Sequence, residues 1–140
     1  MVSQTQRTAL TCLAVAAGGA AGAALRYQLW RWWPDDAMQF PLTTFAINVV
    51  GCFLFGLSVG AIPDEDPDAT AIMRAFIMYG LLSGFTTFSF FAIQSVTLTS
   101  PRMGLTYMAL TPLLAVGAAW TGKACASALL GTRRARRHTR

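Results

Sequence analysis

The side chains most able to do chemistry in this sequence are uncharged and lie within apolar segments. They are one amide, two phenylalanines three residues apart and four hydroxyl-bearing residues: Asn48, Phe88, Phe91, Thr87, Ser89, Tyr107 and Thr111. The Asn48 amide offers two N–H donors, which can face an anion or bridge two helices. Phe88 and Phe91 share a helix face, and aromatic rings have a positive edge. These groups can bind a small anion, although bridging, packing and bonding to the local backbone are their commoner roles.

Acid–base and metal chemistry have little support in the sequence. The single histidine, His138, lies in a basic tail, and the carboxylates lie outside the long uncharged segments. The three cysteines, Cys12, Cys52 and Cys125, have no paired spacing and are typical of small apolar filling residues. We therefore expect the protein not to be an enzyme.

Four uncharged segments dominate the 140 residues, of which only 12% are charged, about half the share in soluble domains. They cover residues 8–25, 37–63, 75–101 and 103–122. A helix needs about 20 apolar residues to cross roughly 30 Å of hydrocarbon. The sequence therefore predicts an all-α membrane protein with four transmembrane helices, a fold class that excludes a soluble domain. The predicted spans are about 8–27, 41–62, 70–98 and 103–130.

These spans form one predicted domain, residues 1–132, followed by a basic disordered tail at 133–140 that contains five of the eleven basic residues. In the first span, Gly18 and Gly22 have the small-residue spacing that lets two helix backbones approach closely. The third span has glycines and hydroxyls at its centre. Because a membrane helix can break only where its freed backbone groups are satisfied, we expect an interruption near Ser83 to Thr86 that lines protein or a cavity.

Loop charges leave the orientation of these spans almost undecided. Arg7 and Arg74 lie on the side of the two termini, whereas Arg26, Arg31 and Arg102 lie on the opposite side. The arginine tail shifts the balance and favours cytoplasmic termini.

Four ordered motifs carry a family resemblance. Residues 80–91 read Gly-x-x-x-Gly-Phe-Thr-Thr-Phe-Ser-x-Phe, and residues 18–27 read Gly-Gly-x-x-Gly-Ala-x-x-Arg-Tyr. Residues 48–56 read Asn-Val-Val-Gly-x-Phe-Leu-x-Gly, and Tyr107 is followed by a hydroxyl at Thr111. Together they cover nearly the whole chain except the tail. In this order the motifs resemble those of the Fluc-type fluoride channels, the CrcB family.

The resemblance implies a fluoride-specific channel that passively exports fluoride across the plasma membrane and so lowers its toxicity. It also implies a four-helix channel domain that assembles as an antiparallel, dual-topology dimer with two pores. Phe88 and Phe91 would contribute ring edges, Asn48 and Ser89 polar contacts, and Arg26 a vestibule charge. The implied fluoride path is Asn48, Phe88, Phe91, Ser89, Thr87, Tyr107 and Thr111.

The resemblance further implies a structural Na⁺ at the dimer interface, bound by the backbone carbonyls of Ser83 and Thr86. Serine at position 83 departs from the usual glycine, and Phe90 stands where the family commonly has threonine. Ala115 and Ala119 replace hydroxyl-bearing residues of the fourth helix. The partner is either a second copy or, because the tail favours one orientation, an oppositely oriented paralogue. We expect a lipid bilayer as the environment and no nucleic-acid partner.

Two other functions are alternatives to the channel. A small proton-coupled multidrug exporter also has four helices, but it needs a carboxylate in the first helix, and residues 8–25 contain none. A structural membrane subunit would explain the glycines and aromatic residues. It gives no reason for a third span rich in threonine and serine.

Overall fold

The computed structural model describes residues 4–62 and 69–138 of the chain, and the regular structure in these residues is helical. Helix α1 is Gln4–Trp32, α2 is Leu42–Ala61, α3 is 69–85, α4 is Phe88–Thr97 and α5 is Pro101–His138. Four helical stretches are long and apolar enough to cross a membrane: Gln4–Trp32, Leu42–Ala61, Thr70–Thr97 and Pro101–Leu130. The prediction of four membrane-spanning helices is confirmed.

Proline residues set several of the helix boundaries. Pro34 follows the end of α1, and Pro41 directly precedes α2. Pro101 opens α5, where its missing N–H costs nothing because the first helical N–H groups have no partner in the helix. Pro112 lies inside α5 and deprives the Met108 carbonyl of its helix donor.

Small residues bring the helices together in two pairs, α1 with α3 and α2 with α5. Gly18 and Gly22 of α1 lie against the backbone of Gly80, Leu81 and Gly84 in α3. Between α2 and α5, the contacting residues include Gly56, Gly60, Ala119, Gly122 and Ala126. This is the close backbone approach that the spacing of Gly18 and Gly22 predicted.

The third span is broken, as the sequence predicted, and the break begins at Thr86, the last residue of the predicted interval. Its first half, α3, contains α-helical Ala69–Arg74, a π-helical segment Ala75–Leu82 and a last turn Ser83–Phe85. Ser83 is still helical, with φ −67° and ψ −35°. The backbone becomes extended at Thr86 (φ −73°, ψ 161°) and Thr87 (φ −149°, ψ 119°), and α4 begins at Phe88. The helix continues to Thr86 because both the N–H and the hydroxyl of that residue donate to the Leu82 carbonyl.

Large apolar side chains cover the outside of the bundle. Exposed examples on three different helices are Leu13, Val96, Leu113 and Trp120. A soluble protein of this size would bury most such residues, whereas hydrocarbon solvates them. The exterior therefore fits a lipid environment.

The carboxyl-terminal segment continues the last helix, and the prediction of a basic disordered tail at 133–140 stays a prediction. Helix α5 continues through His138, so residues 133–138 are helical, while residues 139 and 140 lie outside the described part. Alanine and arginine are among the best helix formers, and here they extend an existing helix that needs no new nucleus.

The packing of α1 on α3 gives a matched pair of glycine variants. A Cβ atom at Gly22 would lie 2.7 Å from the backbone nitrogen of Phe85, whereas one at Gly19 would meet nothing within 4 Å. We expect Gly22→Ala to lower the free energy of unfolding in detergent micelles by about 1–3 kcal/mol, since the two backbones must separate.

Gly19→Ala is the control, and it should leave that free energy unchanged or raise it by up to about 1 kcal/mol through helix propensity. Equal stability of the two variants would contradict the close packing of α1 on α3.

Candidate ion-binding groove

A groove of about 340 Å³ lies beside the break in the third span, between α2, α4 and α5. Its lining residues are Asn48, Cys52, Thr86, Thr87, Phe88, Phe91, Thr111, Pro112, Ala115, Val116 and Ala119. The lining contains no Asp, Glu, Lys, Arg or His. Five of the seven residues predicted for the fluoride path therefore share one cavity.

The Asn48 side chain pairs with the backbone of Thr87. Asn48 Nδ2 donates to the Thr87 carbonyl at 3.0 Å, and the Thr87 N–H donates to Asn48 Oδ1 at 2.8 Å. Asn48 is only 9% exposed, so these two bonds satisfy groups that water does not reach. The amide thus bridges α2 to the break in the third span. The pairing uses one of the two N–H donors of the amide, and Asn48 itself lines the groove.

The amino-terminal end of α4 adds further donors to the groove. Thr87 caps this helix, because its hydroxyl accepts a hydrogen bond from the Phe90 N–H at 3.3 Å. The N–H groups of Phe88 and Ser89 stand in the first turn, where no helical carbonyl precedes them. A helix end of this kind carries about half a positive charge. The groove lining therefore includes a helix amino terminus and no charged side chain.

The two predicted phenylalanine rings lie next to each other at the groove. Their centroids are 5.7 Å apart and their planes are inclined by 50°. Phe91 is partly buried and packs against the Tyr107 ring at 5.3 Å. Phe88 is 79% exposed on the isolated chain, so the groove is open on that side.

The Thr111 hydroxyl is a buried polar group that lacks a protein partner. Thr111 is 3% exposed, and its Oγ1 makes no hydrogen bond to any described residue. An unsatisfied buried hydroxyl costs about 1–3 kcal/mol. Since Thr111 lines the groove together with Asn48, the two polar groups could be satisfied by the same ligand.

Three predicted residues lie outside the groove lining. Ser89 is exposed, and its hydroxyl lies 3.3 Å from Thr87 Oγ1. The Tyr107 hydroxyl donates to Gln94, and the Tyr107 ring packs against the Phe91 ring. The Arg26 guanidinium stacks over the Trp30 ring at 5.4 Å. Their predicted roles in conduction stay predictions.

The carbonyls of Ser83 and Thr86 have the chemistry that a hard cation needs. In an unbroken helix they would accept from the N–H groups of Thr87 and Phe90, but those groups donate to Asn48 Oδ1 and Thr87 Oγ1 instead. The Ser83 hydroxyl donates to the Met78 carbonyl, so it does not replace the hydrogen bond that the Ser83 carbonyl lacks. Two carbonyls are fewer than the six or so oxygen ligands typical of hard cations, so water or a second chain would have to supply the rest.

Sequence reasoning missed a polar cluster beside the groove, formed by Trp30, Asp35, Thr44 and Gln94. Gln94 follows Phe91 by three residues, and this spacing could have placed it on the groove side of α4. Asp35 gave no comparable signal, because a carboxylate in a tryptophan-rich loop is typical of a membrane interface.

Comparison with known proteins is consistent with this geometry. Residues 13–123 match the family described as CrcB-like protein, Camphor Resistance (CrcB). The chain is 45% identical over 109 residues to "Fluoride-specific ion channel FluC 1" of Streptomyces coelicolor, covering 76% of this chain and 70% of that protein. It is 36% identical over 125 residues to "Fluoride-specific ion channel FluC 2" of Nocardia farcinica, covering 87% and 89%. It is 38% identical over 116 residues to the protein of the same name from Rhodococcus jostii, covering 81% and 96%. The matched region contains the second and third membrane-spanning segments and most of the first and fourth, and the chain belongs to the CrcB-like family.

Proposed function

We propose that this protein is a fluoride-specific channel of the plasma membrane, through which fluoride leaves the cytoplasm passively. Membership in the CrcB-like family and the names of its relatives support this function and argue against an enzyme. They also argue against the multidrug exporter and the structural subunit. In the chain itself, the groove at the break of the third span supports it.

The physical problem of fluoride conduction is dehydration. Moving so small an ion from water into a dry medium costs on the order of 20 kcal/mol by the Born estimate. Neutral donors such as the Asn48 amide, the helix α4 N–H groups and the ring edges can replace water without holding the ion too tightly. A fixed counter-charge would trap the anion, and the groove lining has no charged side chain.

The direction of transport follows from chemistry that needs no pump. Hydrogen fluoride enters cells as a neutral molecule and dissociates in the near-neutral cytoplasm, where the anion accumulates. An inside-negative potential drives an anion outward with about 2.3 kcal/mol per charge per 100 mV. An open, selective path is therefore sufficient for export.

The buried Thr111 hydroxyl is the observation that carries the proposal. It has no hydrogen-bond partner among the described residues, and Thr111 lines the same cavity as Asn48. Both groups can donate, and an anion between them would satisfy both.

The proposed channel is an antiparallel, dual-topology dimer. The exposed Phe88 ring and the open groove indicate that one chain does not enclose the path. The second subunit is either another copy or a paralogue of opposite orientation. A structural Na⁺ held between the subunits by the Ser83 and Thr86 carbonyls would neutralise the negative ends of the broken helices.

Replacing the Thr111 hydroxyl tests the proposed function. In liposomes with valinomycin and a potassium gradient, we expect the wild-type protein to release fluoride electrogenically, measured with a fluoride electrode. Thr111→Val should slow release at least about tenfold, which corresponds to about 1.4 kcal/mol of lost stabilisation.

Thr106→Val is the matched control for this variant, because Thr106 is an exposed residue of the same helix whose hydroxyl only bonds the Arg102 carbonyl. It should conduct like the wild type. Absence of efflux from the chain alone and from the chain with a paralogue of opposite orientation would contradict the proposed function.

Orientation in the membrane tests the role of the arginine tail. We expect a C-terminal tag to be found mainly on the cytoplasmic side, because five arginines lie in the last eight residues. Replacing these arginines with glutamine should produce similar labelling on both sides. Equal labelling of the unmodified chain would contradict a fixed orientation and favour a homodimer.

Cation replacement tests the proposed sodium site. The melting temperature of the purified dimer should be higher in sodium chloride than in potassium or N-methylglucamine chloride at equal ionic strength. Asn48→Ala frees the Thr87 N–H to donate to the Ser83 carbonyl, so this variant should lose most of the sodium dependence. The same melting temperature in all three salts would contradict the site.

A further inference from the structure

A polar cluster centred on Asp35 joins three elements at the end of the groove region. Asp35 Oδ1 accepts from the Thr43 N–H at 2.9 Å. Asp35 Oδ2 accepts from the Thr44 N–H at 3.0 Å, from Thr44 Oγ1 at 2.6 Å and from Gln94 Nε2 at 3.1 Å. One carboxylate therefore connects the loop after α1, the start of α2 and the middle of α4.

The start of α2 explains why a carboxylate is placed there. Pro41, which precedes this helix, has no side-chain acceptor, and no side chain at that position caps the helix. The first N–H groups of α2 still need acceptors. Asp35 supplies them from the loop, and its negative charge lies at the positive end of the helix.

The carboxylate also fixes the direction of the hydrogen bonds beyond it. A carboxylate only accepts, so Gln94 must turn its amide N–H₂ toward Asp35. This leaves the amide oxygen facing Tyr107, and the phenol has to donate, as it does to Gln94 Oε1 at 3.2 Å. The direction of the Tyr107 hydrogen bond is therefore determined by Asp35, which is connected to Tyr107 through Gln94 by two hydrogen bonds.

Tyr107 connects this cluster to the groove. Its side chain is fully buried, and its ring packs edge-on against Phe40 and at 5.3 Å against Phe91. Phe91 in turn lines the groove beside Phe88. A change in the hydroxyl anchor of Tyr107 would be transmitted to the Phe91 ring.

We propose that Asp35 is a positioning residue for the ion groove: it orients the Gln94 amide, fixes Tyr107 as a hydrogen-bond donor and so holds the Phe91 ring at the groove. The effect on transport rests on the proposed function, because that function assigns Phe91 to the ion path. The orientation of Tyr107 does not depend on it.

Fluoride efflux in a double-mutant cycle tests the connection. Asp35→Asn should slow efflux at least about fivefold, because the new amide can also donate and releases Gln94 to flip. Asp36→Asn is the matched control: this adjacent exposed carboxylate accepts only from the Met38 N–H, and efflux should be unchanged. Tyr107→Phe should slow efflux by itself, and the double variant Asp35→Asn/Tyr107→Phe should be no slower than Tyr107→Phe.

If Asp35 only stabilised the fold, Asp35→Asn and Tyr107→Phe would slow efflux independently. The two reductions in efflux rate would then multiply in the double variant. Multiplied effects, or wild-type efflux in Asp35→Asn, would overturn the proposal.

Gln94→Leu breaks the chain of hydrogen bonds without touching the cap of α2, so it gives the same test if Asp35→Asn does not fold. It should slow efflux as Tyr107→Phe does.

The Raman doublet of tyrosine gives a readout that needs no transport. Its intensity ratio reports whether a phenol donates or accepts, and subtraction of the Tyr107→Phe spectrum isolates Tyr107 from the other two tyrosines. We expect a donor signal in the wild type and in Asp36→Asn, and a mixed signal in Asp35→Asn. A donor signal that survives in Asp35→Asn would overturn the proposal. A donor signal in a wild type that conducts no fluoride would instead overturn the proposed function.

Discussion

The pairing of the Asn48 amide with the Thr87 peptide is the interaction on which the rest of the site depends. A peptide at mid-membrane cannot leave its N–H and C=O groups unsatisfied, since lipid offers no replacement for water. The Asn48 amide has the same donor–acceptor pattern as a peptide, and it satisfies both groups at once. The third span can therefore stop at Thr86 and restart at Phe88 without an unpaired peptide at Thr87.

Three consequences of this pairing lie close together in space. The restart creates the amino-terminal end of α4 inside the membrane, with its partial positive charge. The stop leaves the Ser83 and Thr86 carbonyls without their helical donors. The pairing also brings the remaining Asn48 N–H to the same groove as Thr111 and the two phenylalanine rings. One side-chain amide thus determines which N–H groups and which carbonyls are left without helical partners at the break.

Much of this organisation could be predicted from the sequence. The absence of charge over long segments predicts the four spans, and the Gly18–Gly22 spacing predicts the approach of α1 to α3. The hydroxyls and glycines near residue 85 predict a break, because they are concentrated at the centre of an otherwise apolar span. These predictions succeed because each depends on local composition and on the properties of the bilayer.

The remaining features depend on contacts between residues distant in sequence. Asn48 alone gave no reason to expect Thr87 as its partner, 39 residues later. The exact position of the break depends on the hydrogen bond from Thr86 back to Leu82, which the motif does not specify. Asp35 was missed because its function as a cap comes from the folded path of its loop.

The unequal lengths of the helices have a consequence for the surrounding bilayer. The 20 residues of α2 span about 30 Å, which matches the hydrocarbon thickness. The 29 residues of α1 and the apolar 30 residues of α5 span about 43 and 45 Å. Tilts of up to about 40° do not absorb this excess completely, so the ends of both long helices extend into the headgroup layers. Charged residues mark where the apolar stretches of these helices end, Arg7 and Arg26 in α1 and Lys123 in α5. The excess length therefore carries polar turns into the headgroup layers, and it adds no hydrophobic mismatch.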